Sequence, residues 1–371
     1  MDRKAASTWL SVRRCQSPIS DTAQSMISSL SNRIGLAGIV QALWIGARLV
    51  SSTLTTAAPM IENKELSGSE RPIIERLQPS PRNAGFRMEE FFVWGGSMIK
   101  VGQTYHLFAS RWPVETGFPD GYRSHSEIVR ATSRDPLGPF QFEEIVVSGR
   151  GGDCWDGKMC HNPKIVKSGH TFVLFYIGSA AGSDLRKCGF ATAPLVTGPW
   201  NRRADPLPFG EDHNNPAPYI HDDGRILIAY RDRDLHMFMA VANSLDGPYE
   251  ILSRDLFPGI KIEDPDIHFL DGQYHMVVED NKGGMTGHVR HGAHFVSSDG
   301  IDWSAQEPIR VYDHTLEWDD GSATEADRRE RPELFNANAV RKGDGPPTHL
   351  LTGVKVGNRT WCHVQAIESS N

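Results

Sequence analysis

From about residue 90 onward the apolar residues come in short runs and not at helical spacing. Tyr105-His106-Leu107-Phe108, Phe172-Val173-Leu174-Phe175-Tyr176, Ile226-Leu227-Ile228-Ala229-Tyr230, Tyr274 to Val278 and Thr348-His349-Leu350-Leu351 are β-rich and often aromatic. A polar or acidic opening stands before each run. These openings are Trp94-Gly95-Gly96-Ser97, His161-Asn162-Pro163, Asn214-Asn215-Pro216, Glu263-Asp264-Pro265 and Glu330-Arg331-Pro332. Gly102, Gly169, Gly224, Gly272 and Gly345 sit at or near the turns between opening and run. The best-defined copy spans Ile262 to Asp280, where Asp271-Gly272 between two apolar runs predicts a tight hairpin.

A third strand and a Gly-Pro-aromatic turn into a fourth follow in three copies, at Gly138-Pro139-Phe140, Gly198-Pro199-Trp200 and Gly247-Pro248-Tyr249. The fourth copy keeps only the aromatic, Trp303. The period of roughly 50 to 67 residues suits four-stranded propeller blades with variable loops. Five openings predict an all-β, five-bladed β-propeller of four-stranded antiparallel blades over residues 76–371. The fifth unit lacks a clear last strand. The segment holding Phe86, Phe91 and Phe92 is expected to supply it and close the ring, which removes exposed sheet edges.

Residues 1–75 differ and read as a leader and linker outside the fold. Met1 to Pro59 holds six Lys or Arg and two acids. Ile34 to Ala47 is an apolar run too short to span a bilayer, with Arg33 before it and Thr55-Thr56-Ala57-Ala58 after it. Read from Met26, this pattern is that of a signal peptide, with a membrane anchor or a tail as the alternatives. It predicts a secreted or periplasmic protein without stable membrane insertion when mature. Glu62 to Pro81 reads as a polar linker.

The composition of the 371-residue chain is that of a soluble globular protein, and its net charge of -7 argues against a nucleic-acid partner. It does not suggest a strongly anionic substrate either, although a local basic pocket is compatible with it. Cys154 and Cys160 are near enough in sequence to pair if their loop closes; otherwise they are free thiols. His288, His291 and His294 carry only a weak metal-ligand spacing, so no metal and no cofactor is expected.

In a propeller the starts of the innermost strands and the ends of the next strands meet at one mouth. The openings bring His161, Asn162, Asn215, Glu263, Asp264, Arg331 and Glu333 there. The strand ends bring Ser110, Arg111, Arg231, Asp232, Glu279 and Asp280. Trp94, Trp112, Trp155 and Trp318 lie in or beside these loops. Indoles stack on apolar sugar faces, while arginines, amides and carboxylates pair with hydroxyls. Paired carboxylates are also what glycoside hydrolysis needs.

On these residues the chain resembles the five-bladed propeller glycoside hydrolases around families 43 and 117, over about residues 90–371. In family 43 the fourth blade opens on Glu-Gly-Pro, whose Glu is the general acid. Glu263 stands at that position, with Asp264 in place of the Gly. The third-blade Asp-Pro that tunes the acid corresponds to Asn215-Pro216. The first-blade Asp-Pro that carries the base corresponds to Trp94-Gly95-Gly96-Ser97. Two of the three positions therefore lack the acid. The catalytic candidates are Glu263 and Asp264, with Asp280 and Glu90 as candidates for the base. Family 117 has a histidine acid, which brings in His161, His213 and His294. The implied partner is a carbohydrate, contacted by Trp94, Arg111, His161, Asn162, Asn215, Arg231, His294, Arg331 and Glu333. The resemblance implies an exported glycosidase acting on a plant or algal polysaccharide. A carbohydrate-binding propeller without catalysis is the alternative.

Overall fold

The computed structural model describes residues 71–339 and 342–369. The leader expected before them lies outside the described residues, and among those described no helix is long and apolar enough to cross a membrane. The chain folds into five antiparallel blades. Blade 1 comprises β1 (Phe91–Val101), β2 (Thr104–Pro113), β3 (Glu127–Ser133) and β4 (Gln141–Val147). Blade 2 comprises β5 (Met159–Ser168), β6 (Thr171–Ser179), β7 (Lys187–Ala193) and β8 (Asn201–Arg202). Blade 3 follows with β9 (His213–Ile220), β10 (Ile226–Asp232), β11 (Met237–Ala242) and β12 (Tyr249–Ser253). Blade 4 is β13 (Glu263–Leu270), β14 (Gln273–Asp280), β15 (His291–Ser297) and β16 (Ser304–Arg310). After a short hairpin, β17 (Thr315–Glu317) and β18 (Ala323–Glu325), blade 5 is β19 (Arg328–Phe335), β20 (His349–Val356) and β21 (Arg359–Ala366).

Blade 5 thus has three continuous strands. Its outer edge is met by the segment before β1, as the repeat predicted, but through Phe86 and not Phe91 or Phe92, which belong to β1. Phe86 N–H donates to the Cys362 carbonyl at 2.9 Å, and Cys362 N–H returns the bond at 3.0 Å. Leu77 pairs likewise with Ile367. The polar linker expected over Glu62 to Pro81 is, from Arg71 on, part of the fold: Ile73 is buried among Val277, Tyr312 and Leu350.

The second strand of each blade explains the unbroken apolar runs. Its two faces pack on two neighbouring blades, so both sets of alternating side chains are buried. In β6, Val173, Phe175 and Ile177 pack on Ile226, Ile228 and Tyr230 of blade 3. Phe172, Leu174 and Tyr176 of the same strand pack on Phe108 and Ile128 of blade 1. Similar layers join blades 3 and 4, 4 and 5, and 5 and 1. Each fully buried side chain of this size contributes about 1.5–3 kcal/mol, so the interfaces carry the fold. The first strands adjoin around the axis, β1 beside β5, β5 beside β9, β9 beside β13, β13 beside β19 and β19 beside β1.

At Asp271-Gly272 both residues have positive φ, 52° and 79°, which is the hairpin turn expected there. Cys160 is a free, buried thiol, so it is not joined to Cys154.

Candidate active site

The five openings share one backbone device. Gly95, Asn162, Asn215, Asp264 and Arg331 have φ of 58°, 54°, 53°, 57° and 60°. Each lies where the pairing of the first strand with the second shifts register, a bulge repeated in all five blades. Asn and Asp tolerate left-handed backbone better than other side chains, and glycine does so freely. Arg331 has neither advantage, and such a residue costs on the order of 1–3 kcal/mol unless its surroundings hold it. A bulge re-aims a side chain out of the pleat. Here it sends the four side chains toward the axis, where they bond to one another.

Asn162 Nδ2 donates to Asn215 Oδ1 at 2.7 Å, Asn215 Nδ2 donates to Asp264 Oδ1, and Arg331 Nη1 donates to the same oxygen at 2.9 Å. Gly95 contributes no side chain to this ring. A Cβ placed there would lie 3.1 Å from Arg331 Nε and 3.5 Å from Asn162 Oδ1. Those two buried atoms have no protein partner. Gly95 belongs to the opening Trp94-Gly95-Gly96-Ser97, which holds no carboxylate.

Above the ring opens an axial cavity of about 340 Å³. Blades 4 and 5 line it with acids. Glu263, at the start of β13, is ion-paired with Arg231 at 2.7 Å and accepts from Asn281 Nδ2. Glu330, at the bulge of β19, is paired with Arg290 at 2.5 Å and lies 3.4 Å from Arg328. Burial, together with the nearby Asp264 and Glu263, pushes the Glu330 carboxyl up to about 7 against the pull of the two arginines. Glu279, just behind, is fully buried. Burial first, then Glu330, Glu263 and Asp264, raise it well above the ordinary carboxylate range, although Arg290 lies 2.8 Å away. Asp264, Glu279 and Glu330 each offer an oxygen within 4.8 Å of the others, a geometry able to hold a cation. Arg290 and Arg331 already supply positive charge to it.

Blade 1, which follows blade 5 around the axis, lines the cavity with aromatic rings. Phe118 stacks on Trp112 at 5.7 Å and meets Trp94 edge-on at 5.1 Å. Tyr122 stacks on His161 at 4.6 Å. His161 Nδ1 is hydrogen-bonded to Ser126 Oγ at 2.7 Å, and burial holds the imidazole well below its usual value, hence neutral.

Of the residues named from the sequence, Trp94, Trp112, His161, Asn162, Asn214, Asn215, Arg231, Glu263, Asp264 and Arg331 line this cavity. The others lie elsewhere. Asp280 turns its carboxylate into its own loop, accepting from the backbone of Gly284, Met285 and Thr286, so it is a strand-end cap and not a cavity base. Glu90 is exposed on the surface. Arg111 gives two donors to Glu127 and packs over Phe91 and Phe142. His294, on the third strand of its blade, is hydrogen-bonded to His275 at 3.0 Å. Glu333 lies below the ring, bonded to Lys164 and Lys342. Trp155 stacks on Tyr176 inside blade 2. Trp318 belongs to a second groove of about 660 Å³ at the rim, which holds tryptophans and arginines but only one carboxylate, Glu89.

Glu330, Asn281, Arg290, Arg328, Arg186, Arg233, Arg123, Phe118 and Tyr122 are among the cavity residues that sequence reasoning did not single out as site residues. Only Glu330 carried a signal, as the first residue of the fifth opening.

No protein-family model matches the chain, and no curated protein matches it. Its fold is shared with solved structures. One is a family 117 glycoside hydrolase of the marine bacterium Zobellia galactanivorans, at TM-score 0.58 and 14% identity, covering 78% of this chain and 88% of that one. A second is the catalytic domain of the family 62 α-L-arabinofuranosidase of Coprinopsis cinerea, at TM-score 0.56 and 15% identity, covering 81% and 98%. A third is a family 43 β-xylosidase/α-arabinofuranosidase from a compost microbial metagenome in complex with xylotriose, at TM-score 0.55 and 10% identity, covering 77% and 94%. At such identities the likeness establishes the architecture: this chain has the five-bladed propeller fold of those glycoside hydrolases.

Proposed function

We propose that this protein is a glycoside hydrolase that cleaves a plant or algal polysaccharide, or its oligosaccharides, in the axial cavity. One observation carries the reading. Two carboxyl groups on the cavity wall are each paired with an arginine, Glu263 with Arg231 and Glu330 with Arg290, and burial with the nearby Asp264 and Glu263 pushes Glu330 up to about 7. A buried carboxyl raised in this way suits a proton donor. Glu330, pushed up to about 7, is protonated in a large share of molecules at neutral pH, and that form delivers the proton to the glycosidic oxygen. Glu263 acts as the charged partner that activates water. The resemblance gives the acid role to Glu263, but Glu330 is the wall acid whose proton affinity burial raises. Phe118 and Tyr122, the half-buried rings of the wall, offer apolar surface to the sugar. The apolar run of residues 34–47 supports export.

The pH profile tests the assignment. A general acid works while protonated, so kcat/KM on an oligosaccharide falls as pH rises through about 7, the value reached by Glu330. In Glu330→Gln that alkaline limb disappears and the rate drops by about 10²–10⁴. A Glu330→Gln enzyme with wild-type turnover and an unchanged alkaline limb overturns the role. One observation favours a second reading, a sugar-binding propeller without catalysis: the first opening, Trp94-Gly95-Gly96-Ser97, holds no carboxylate. Oligosaccharide binding with no cleavage by the wild-type protein decides for it.

A further inference from the structure

The cavity is richer in guanidinium groups than its acids require. Four of its arginines are matched to acids of blades 4 and 5: Arg231 to Glu263, Arg331 to Asp264, and Arg290 and Arg328 to Glu330. The wall from the other side carries three more, Arg123, Arg186 and Arg233. Arg186 and Arg233 share a single carboxylate, Asp212, at 3.5 and 2.7 Å, both through Nε. Arg186 also gives Nη1 to Tyr122 Oη at 3.2 Å. Arg233 is exposed at the cavity, so its guanidinium is open to a ligand. Arg123 reaches only the exposed Asp120 at 3.4 Å, a solvent-screened pair worth little. Deeper in, Arg231 Nε and Arg331 Nε are buried on the cavity wall without an acceptor.

A buried N–H left unpaired costs stability, so its retention on a cavity wall marks an acceptor that arrives with the ligand. This concentration of positive charge also runs against the chain's net charge of -7. We propose that the sugar bound in this cavity is anionic, a uronic acid or a sulfate ester, with its charged group held on the Arg186–Arg233 wall. Both groups present planar or tripodal oxygens that a guanidinium fork engages in two bonds at once. The proposal rests on the cavity being the glycan site. It names the class of glycan.

The test uses matched pairs on the intact wild-type protein. Binding is measured by calorimetry for trigalacturonic acid against its methyl-esterified form, and for a galactan trisaccharide with and without a sulfate ester. The charged member of at least one pair binds about tenfold or more tightly than its neutral twin, since a charge-assisted hydrogen bond is worth that much. Which pair shows the preference tells carboxylate from sulfate. Raising ionic strength from about 0.05 to 0.5 M shrinks the preference. Arg233→Gln, at an exposed side chain that folding tolerates, removes most of it, and Arg186→Gln is the companion variant. Equal or weaker binding of both charged members overturns the proposal, as does binding of none of the four probes. Cleavage is scored separately. Charged preference without cleavage keeps this proposal and sinks the hydrolase reading. Cleavage of neutral sugars with no charged preference does the reverse.

Discussion

Two layers of buried charge lie on the same axis, two residues apart on the same strands. The upper layer is the ring of Asn162, Asn215, Asp264 and Arg331. The lower one is made by Ser97, Lys164, Asp266 and Glu333, with Lys342 reaching in. In the lower layer every charge meets its opposite: Lys164 to Asp266 at 2.7 Å and to Glu333 at 3.2 Å, and Lys342 to Glu333 at 2.8 Å. The acids also accept from the backbone of Met98 and Leu334, tying blades 1, 4 and 5 together. The upper layer leaves Asn162 Oδ1 and Arg331 Nε without protein partners, whereas Glu333 Oε2, which has no hydrogen bond in the lower layer, still lies 3.2 Å from the Lys164 ammonium. Matched charge makes a plug; groups left without any partner make a receptor. Buried polarity by itself therefore does not mark a site, whereas incomplete pairing on a cavity wall does.

The sharpest way to break this contrast is in the plug. Lys164→Met leaves Asp266 and Glu333 facing each other with one cation fewer, and removing one partner from a buried pair costs about 3–5 kcal/mol. Denaturant unfolding should show that loss. A loss under about 1 kcal/mol would make the lower layer as dispensable as a surface pair. Glu263→Gln probes the upper side. It should lower kcat by about 10²–10⁴ while the unfolding midpoint moves far less than in Lys164→Met. If stability falls as far as activity, Glu263 belongs to the scaffold. Gly95→Ala is a finer cut. With φ at 58° and Arg331 Nε 3.1 Å from the added carbon, it should cost about 1–2 kcal/mol, read by thermal unfolding. Glu90→Gln is the control: at an exposed side chain it should leave stability within about 0.5 kcal/mol and kcat unchanged.

The blade count was legible because four of the five openings carry a proline, three of them after an Asn or Asp, and each second strand is apolar on both faces. Asp264, Asn215 and Asn162 could be placed at the mouth for the same reason. Asp280 could not be placed correctly. At the end of β14 a single step decides which side chain faces the axis, and the step falls so that Asn281 reaches Glu263 while Asp280 caps its loop. Nor did the sequence single out Glu330 as an acid. Its raised affinity for a proton depends first on burial and then on Asp264 and Glu263, which come from another blade. Arg186, Arg233 and Arg290 sit in loops with no motif, and only folding brings them to one wall. Arg111 and His294 look like site residues in sequence, but the pleat turns them between strands and blades.

The closure of blade 5 has a consequence for how the molecule assembles. Val93 N–H bonds to Thr360 Oγ1, 267 residues further on, and Ser80 Oγ reaches the Val364 carbonyl across 284. Blades 2, 3 and 4 each pair strands that follow one another in sequence, so each can zip up locally as it leaves the ribosome. The seam cannot. Until β21 emerges, blade 1 presents its face, and the Phe86 segment its backbone, with nothing to meet them. Contacts this distant in sequence slow folding, and an unmet strand edge invites other chains. The seam at Phe86 and Cys362 is thus where a nascent molecule waits longest and where shielding by a chaperone would matter most.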